Sequence, residues 1–209
     1  MFQGPSSGQP SGMGRHGLEP LAAGLEAREA LDPAVDGLLA VAKPLSRGGP
    51  RMVLSGQWLG HAFHPLLTDI PLGCWTSASL LDLVGGRSAR SASRRLVGLG
   101  VLTSLPTAAA GLSDWAHIDR RSQRVGVVHA AANGAVLALF GASYLARRRG
   151  RHGAGVALGM AGGVVAIYSG FLGGHLTLTA AVTRDNALLP SDDGDAPALE
   201  ADEPHFARG

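Results

Sequence analysis

The sequence predicts an all-α fold: a four-helix transmembrane bundle with a disordered N-terminus, short N-terminal amphipathic helices and an acidic C-terminal tail. Three observations carry this. Four apolar segments, at about 65–84, 96–112, 126–145 and 154–174, approach the roughly 20 helical residues that a hydrocarbon core needs. Charged residues make up only 16% of the 209, against about 25% in soluble domains, and mean hydropathy is +0.15 although both ends are polar. The segments lack the polar stripe of a soluble bundle helix, and the arginines gather in the gaps between them.

Residues 1–17 are rich in Gly, Pro and Ser and read as disordered, with no apolar core of a secretory signal. Residues 18–60 read as amphipathic, interfacial helices. Leu18, Leu21 and Leu25 keep helical spacing. Asp32 and Pro33 are expected as N-cap and first residue of a second helix running to about Leu45, with Leu38, Leu39 and Val41 on its apolar face. Residues 61–178 form the membrane domain. Residues 179–209, with seven carboxylates and two arginines, read as a disordered acidic tail.

Within the spans, Gly155, Gly159 and Gly163 give overlapping GxxxG steps that let helix backbones approach, for folding or for a homodimer. Gly134, Ala138 and Ala142, and the Gly170/Gly174 pair, repeat the pattern. Pro71 and Pro106 cannot donate to the carbonyls of Leu67 and Leu102, so both helices should bend and both carbonyls need another partner.

The loop with Arg87, Arg90, Arg94 and Arg95 and the loop with Arg147, Arg148, Arg149 and Arg151 contain no acidic residue. The positive-inside rule places both in the cytoplasm and both termini outside, in a multi-pass protein of the cell membrane. The opposite side carries Arg120, Arg121 and Arg124, with Arg47, Arg51 and Arg184 near span ends.

The histidines carry the chemistry. An up-down-up-down bundle brings His61, His64, His117, His129 and His175 to one membrane face, joined by Asp69 and Asp114. His64, before Pro65, is expected as the N-cap of the first span. The arginine-rich face is expected to hold Asp82 and no histidine. Ionisable groups at membrane depth read as functional by default. Two chemistries stay open. A pair of histidines on facing helices ligates one haem b, with His129 joined by His64 or His175. Alternatively, three or four histidines, with His61 and His117 as loop ligands, bind a copper, zinc or iron ion. Asp69, Asp114 and Asn133 would orient the ligands from behind.

One cysteine, Cys74, excludes a disulfide framework and a Cys-rich metal site, and reads as a small apolar residue. Aromatics at 5% argue against nucleic-acid binding. Trp58, Trp75 and Trp115 read as interfacial or packing residues, with quinone stacking a further role for Trp115. No phosphate loop, nucleophile elbow or pair of hydrolytic acids is visible. That favours an electron-transfer or anchor subunit over a stand-alone enzyme.

The stretch from Gly60 to Gly73 (GHAFHPLLTDIPLG), with Leu105–Thr107, Gly111–Trp115, Arg124–Asn133 and Gly173–Leu176, resembles the bacterial membrane family catalogued as domain of unknown function 2231. The resemblance covers about residues 30–180 and implies four spans. Some close relatives continue, after the Gly-Gly-His-Leu stretch, into a Rieske [2Fe–2S] domain, which implies electron transfer as the setting. This chain has no cysteine beyond His175, so it holds no iron–sulfur cluster itself; the resemblance implies a separate Rieske-type or other redox subunit as partner, with a quinone as electron source. Broader members often carry a histidine where this chain has Asp69.

The leading expectation is a redox module, or anchor for a redox partner, holding haem b or another metal at the outer end through His64, His129 and His175. Its rivals are a cofactor-free structural membrane protein that binds a partner through glycine-rich faces, and a small metal-handling or transport protein.

Overall fold

The computed structural model describes residues 19–188. The expected disordered leader and most of the acidic tail lie outside the described residues. Among these, the chain forms helices and no strands: α1 (Glu19–Glu26), α2 (Asp32–Ala42), α3 (Gly48–Leu54), α4 (Phe63–Val84), α5 (Arg90–Trp115), α6 (Arg120–Arg148) and α7 (His152–Leu188). Short 3-10 turns at Glu29–Leu31 and Gln57–Leu59 join the N-terminal pieces.

The long helices outrun their apolar segments. α5 and α6 each begin six residues before the apolar run, because arginine favours helix and the flanks are free to continue it. Asp119 caps α6, accepting from the backbone N–H groups of Arg121 and Ser122 at 3.0 and 3.1 Å. α7 continues well past residue 174, into the segment expected to be disordered. Two expected caps move by a residue or two. Leu31 caps α2, so Asp32 is its first residue; Ala62 caps α4, so His64 already lies inside the helix.

Three helices, α5, α6 and α7, are long and apolar enough to cross a membrane. α4 is long enough, but Thr68, Asp69, Thr76, Ser77, Ser79 and Asp82 dilute its apolar character. Large apolar side chains point away from the protein on all four, among them Leu83, Leu102, Val164 and Ile167. A surface of this kind is at home in lipid.

The four long helices alternate in direction. α4 packs chiefly on α5, α6 on α7, and α5 meets α6. In the middle, Trp75 stacks on Phe140 with ring centroids 4.2 Å apart and planes at 2°. Ala78, Val97 and Val136 complete this core. Gly100 makes the stack feasible: a Cβ there would collide with the Trp75 indole. On α7, Gly155 and Gly159 face Ser143, Arg147 and Phe140 of α6. The third close contact is made by Gly162, against Phe140, while Gly163 has open space beside it, as do Gly134, Gly170 and Gly174.

At the arginine-rich end the helices are tied by charge. Arg147 belongs to α6, not to the following loop, and its side chain is 2% exposed. It donates to both carboxylate oxygens of Asp82, at 2.9 and 2.6 Å, to Ser93 Oγ at 2.8 Å and to Ser143 Oγ at 3.1 Å. Ser93 Oγ lies 2.7 Å from Asp82 Oδ1, and Ser143 Oγ donates to the Gly155 carbonyl. One ion pair thus joins α4, α5, α6 and α7. His152 stands in this cluster, Nε2 3.7 Å from Asp82 Oδ1. The expectation of no histidine at this end was wrong, because His152 opens α7 there.

The N-terminal helices fold over the opposite end. Arg124 of α6 grips Asp32 through two nitrogens, at 2.8 and 2.9 Å, and donates to the Glu26 carbonyl. Arg120 adds Asp32 and Asp36. Val35 and Ala42 of α2 pack with Trp115. Trp115 is buried over Gly126 and donates its Nε1–H to the Gln123 carbonyl, so it serves packing. Ser113 Oγ donates to the Leu45 carbonyl. Trp58 is exposed, edge-on to Phe63.

Candidate functional site

Beneath the N-terminal helices lie two histidines built the same way. His64, in the first turn of α4, donates Nδ1–H to the Thr107 carbonyl of α5 at 2.9 Å. His129, early in α6, donates Nδ1–H to the Ser169 carbonyl of α7, also at 2.9 Å. Each ring rests on a glycine of the helix it bonds. A Cβ at Gly111 would come within 2.7 Å of the His64 ring, and one at Gly173 within 3.0 Å of His129. A side chain at Gly111 would collide with the imidazole, and one at Gly173 would crowd it. A backbone carbonyl can only accept, so in the neutral ring both Nδ1 atoms hold the proton and both Nε2 atoms keep a lone pair.

A proline helps to set this geometry. Pro71 leaves the Leu67 carbonyl without its helical donor, and Thr107 Oγ1 lies 3.2 Å from it. Thr107 therefore meets α4 twice: its hydroxyl faces the orphaned carbonyl and its own carbonyl holds His64.

His129 sits in a closed network. Asn133 Nδ2 donates to His129 Nε2 at 3.0 Å, one helical turn along the same face. Ser169 Oγ donates to Asn133 Oδ1 at 2.9 Å and lies 3.1 Å from His129 Nδ1. His64 and His129 stand at the same end of the long helices, on α4 and α6.

The other singled-out residues are placed differently. His175 Nε2 donates to Glu26 of α1 at 2.8 Å, which ties the last long helix to the first short one. His117 donates Nδ1–H to Ser113 of its own helix end. His61 and Asp69 are exposed and line a shallow groove beside Pro65. Asp114 is partly buried. Among the described residues, no three His, Cys, Asp or Glu side chains are placed to share one metal ion. The acceptors that orient His64 and His129 are backbone carbonyls, where Asp69 and Asp114 were expected. Cys74 is a half-buried free thiol. Thr107, Gly111 and Gly173 lie in the stretches that carry the family resemblance, but their roles, like that of Ser169, were not read from the sequence, because a carbonyl or a missing Cβ leaves no chemical signature in the residue type.

Asp32 is the charged anchor of the N-terminal cover. The Arg124 guanidinium hydrogen-bonded to it outweighs desolvation, and with Arg120 holds its carboxyl below the usual carboxylate range.

No curated protein and no solved structure matches this chain. A family model described as a predicted membrane protein, DUF2231, matches residues 60–186, which include α4, α5, α6 and both pinned histidines. That match spans more than half of the sequence, and the chain belongs to this membrane-protein family.

Proposed function

We propose that this protein is a four-span electron-transfer module or redox-partner anchor in which His64 and His129 would hold one haem b. The supporting observation is the shared device: two imidazoles at the same end, each fixed by Nδ1–H on a backbone carbonyl and seated on a glycine. A ligating histidine uses this arrangement, because the acceptor behind Nδ1–H fixes the tautomer and leaves Nε2 for the metal. A bound haem would supply one-electron transfer between a quinol and an iron–sulfur partner.

The donor set fits that group. His64 Nε2 has no hydrogen-bond partner among the described residues, whereas His129 Nε2 accepts from Asn133 and would have to exchange that bond for the metal. His175 is engaged with Glu26 and is assigned to holding the N-terminal cover. A three-histidine metal site is less favoured, since His61, His117 and His175 are spent or apart from the pair.

α4 is read as the fourth span, on two grounds. It bonds α5 near both ends, through His64 to Thr107 and through Ser93 to Asp82. His64 in its first turn and Asp82 in its last are both satisfied inside the protein. The arginine-rich loops are assigned to the cytoplasm and the histidine pair to the outer side of the cell membrane. Pairing of Arg120 and Arg124 with Asp32 and Asp36 supports this, because it lowers the free positive charge on the outer side.

Haemin titrated into the purified detergent-solubilised protein tests the assignment. One equivalent should bind with a low-spin spectrum. His64→Ala and His129→Ala should each lose the low-spin form while remaining folded. A wild-type protein that takes up no haemin would leave the satisfied His129–Asn133–Ser169 network as a structural device and favour a cofactor-free scaffold.

A further inference from the structure

Where the N-terminal helices hook over the end of α5, they leave an open groove of about 540 Å³. Its walls include Leu39, Lys43, Arg47, Arg51, Ala116 and His117. Among the described residues, no carboxylate stands at ion-pair distance from Lys43, Arg47 or Arg51. The contrast with Arg120, Arg124 and Arg147 is sharp, since each of those is matched by Asp32, Asp36 or Asp82. Three cations are therefore held around one concavity with their charge unbalanced.

The same segment exposes apolar side chains. Met52 and Val53 of α3, then Trp58 and Leu59 of the following turn, are all more than 40% exposed. Arg51 adjoins Met52 in sequence, so the exposed apolar groups begin where the cations end. This segment lies beside the C-terminal end of α5, where Ala116 and His117 share the groove with Arg51. A segment with exposed Trp, Leu, Met and Val beside Arg and Lys lies in the interface, its apolar groups in acyl chains and its cations among headgroups.

We propose that this groove binds the phosphate-bearing headgroup of an anionic phospholipid. Lys43, Arg47 and Arg51 supply the positive charge. His117 also lines the groove; its Nδ1–H is given to the Ser113 carbonyl, so its Nε2 donates to a phosphate oxygen only in the imidazolium form. Leu39 and Ala116 provide the apolar wall against which the glycerol end of the lipid lies. Guanidinium groups suit this ligand because their fork matches phosphate oxygens in pairs. Basic pockets at the membrane surface select headgroups by the same physics. The site is separate from the histidine pair and does not depend on a cofactor.

Native mass spectrometry of the full chain in neutral detergent reads this directly. The probes are phosphatidylglycerol, phosphatidylcholine and inorganic phosphate. Wild-type protein should retain phosphatidylglycerol and not phosphatidylcholine. The K43Q/R47Q/R51Q variant should lose at least about tenfold of that occupancy. R87Q/R95Q, at the other end of the protein, should retain it. Single K43Q and R51Q variants should each give part of the loss, which keeps the test decisive if the triple variant elutes as aggregate. Retention of inorganic phosphate alone, lost in the same variants, would support the anion chemistry and assign a soluble phosphate as its source. Equal retention of phosphatidylglycerol by wild type and triple variant, or equal retention of both lipids, would overturn the proposal.

Discussion

Replacing Asp82 by alanine should be among the most damaging single changes in the membrane domain. Asp82 and Arg147 are 3% and 2% exposed, and the guanidinium spends two nitrogens on the carboxylate. Removing the carboxylate strands a buried cation with Ser93 and Ser143 as its remaining hydroxyl partners. Breaking a buried pair from one side costs about 3–5 kcal/mol, a hundredfold to a few thousandfold in the folding equilibrium. Taking both charges away is different, because no unpaired ion is left. Asp82→Leu with Arg147→Met should fall within about 1 kcal/mol of wild type. The assay is unfolding in mixed micelles with rising SDS mole fraction, read by tryptophan fluorescence, since Trp75 stacks on Phe140 in the adjoining core. A D82A cost below about 1 kcal/mol, or a double variant no better than D82A, would refute the reasoning that burial of charge dominates at this end.

Other outcomes follow from the same geometry. Gly126→Ala should expel Trp115 from its seat and cost about 1–3 kcal/mol in the same micellar unfolding, while Gly163→Ala, with open space around it, should be neutral or slightly stabilising. Asp32 has a carboxyl held below its unfolded value, so its contribution is complete above about pH 4 and is lost as pH falls through the lower folded value. Protease accessibility of residues 19–42 should therefore rise in acid for wild type, and D32N should show that accessibility already at neutral pH. With Cys74 replaced by serine, single cysteines at Gln57 and at Ser88, which flank α4, should react with impermeant maleimide from opposite sides of the membrane; labelling from the same side would remove α4 from the set of spans.

The helices were legible because apolar runs of about 20 residues have few alternatives in a chain so poor in charge. Their ends were not, since the arginine flanks are helix formers that continue in water. Arg147 was expected in a loop because three more arginines or loop residues follow it. Its partner, Asp82, is 65 residues away, and no local pattern records such a pairing. The choice between Gly162 and Gly163 turned on helix rotation: a spacing of four from Gly159 suggested Gly163, yet the contact follows the spacing of three. The link of His129 to Asn133 was readable as an i, i+4 pair on one face. The bond of His64 to Thr107 and the bond of His175 to Glu26 were not, because one partner is a backbone carbonyl and the other lies 149 residues away.

The dithionite-reduced minus air-oxidised difference spectrum of protein purified from haem-supplied cells tests the histidine-pair account most directly. The account predicts a shifted Soret band with sharp α and β bands in wild type, lost in His64→Ala and in His129→Ala but kept in His175→Ala. A featureless spectrum from well-folded wild-type protein, or a haem signal that survives loss of either His64 or His129, would contradict it.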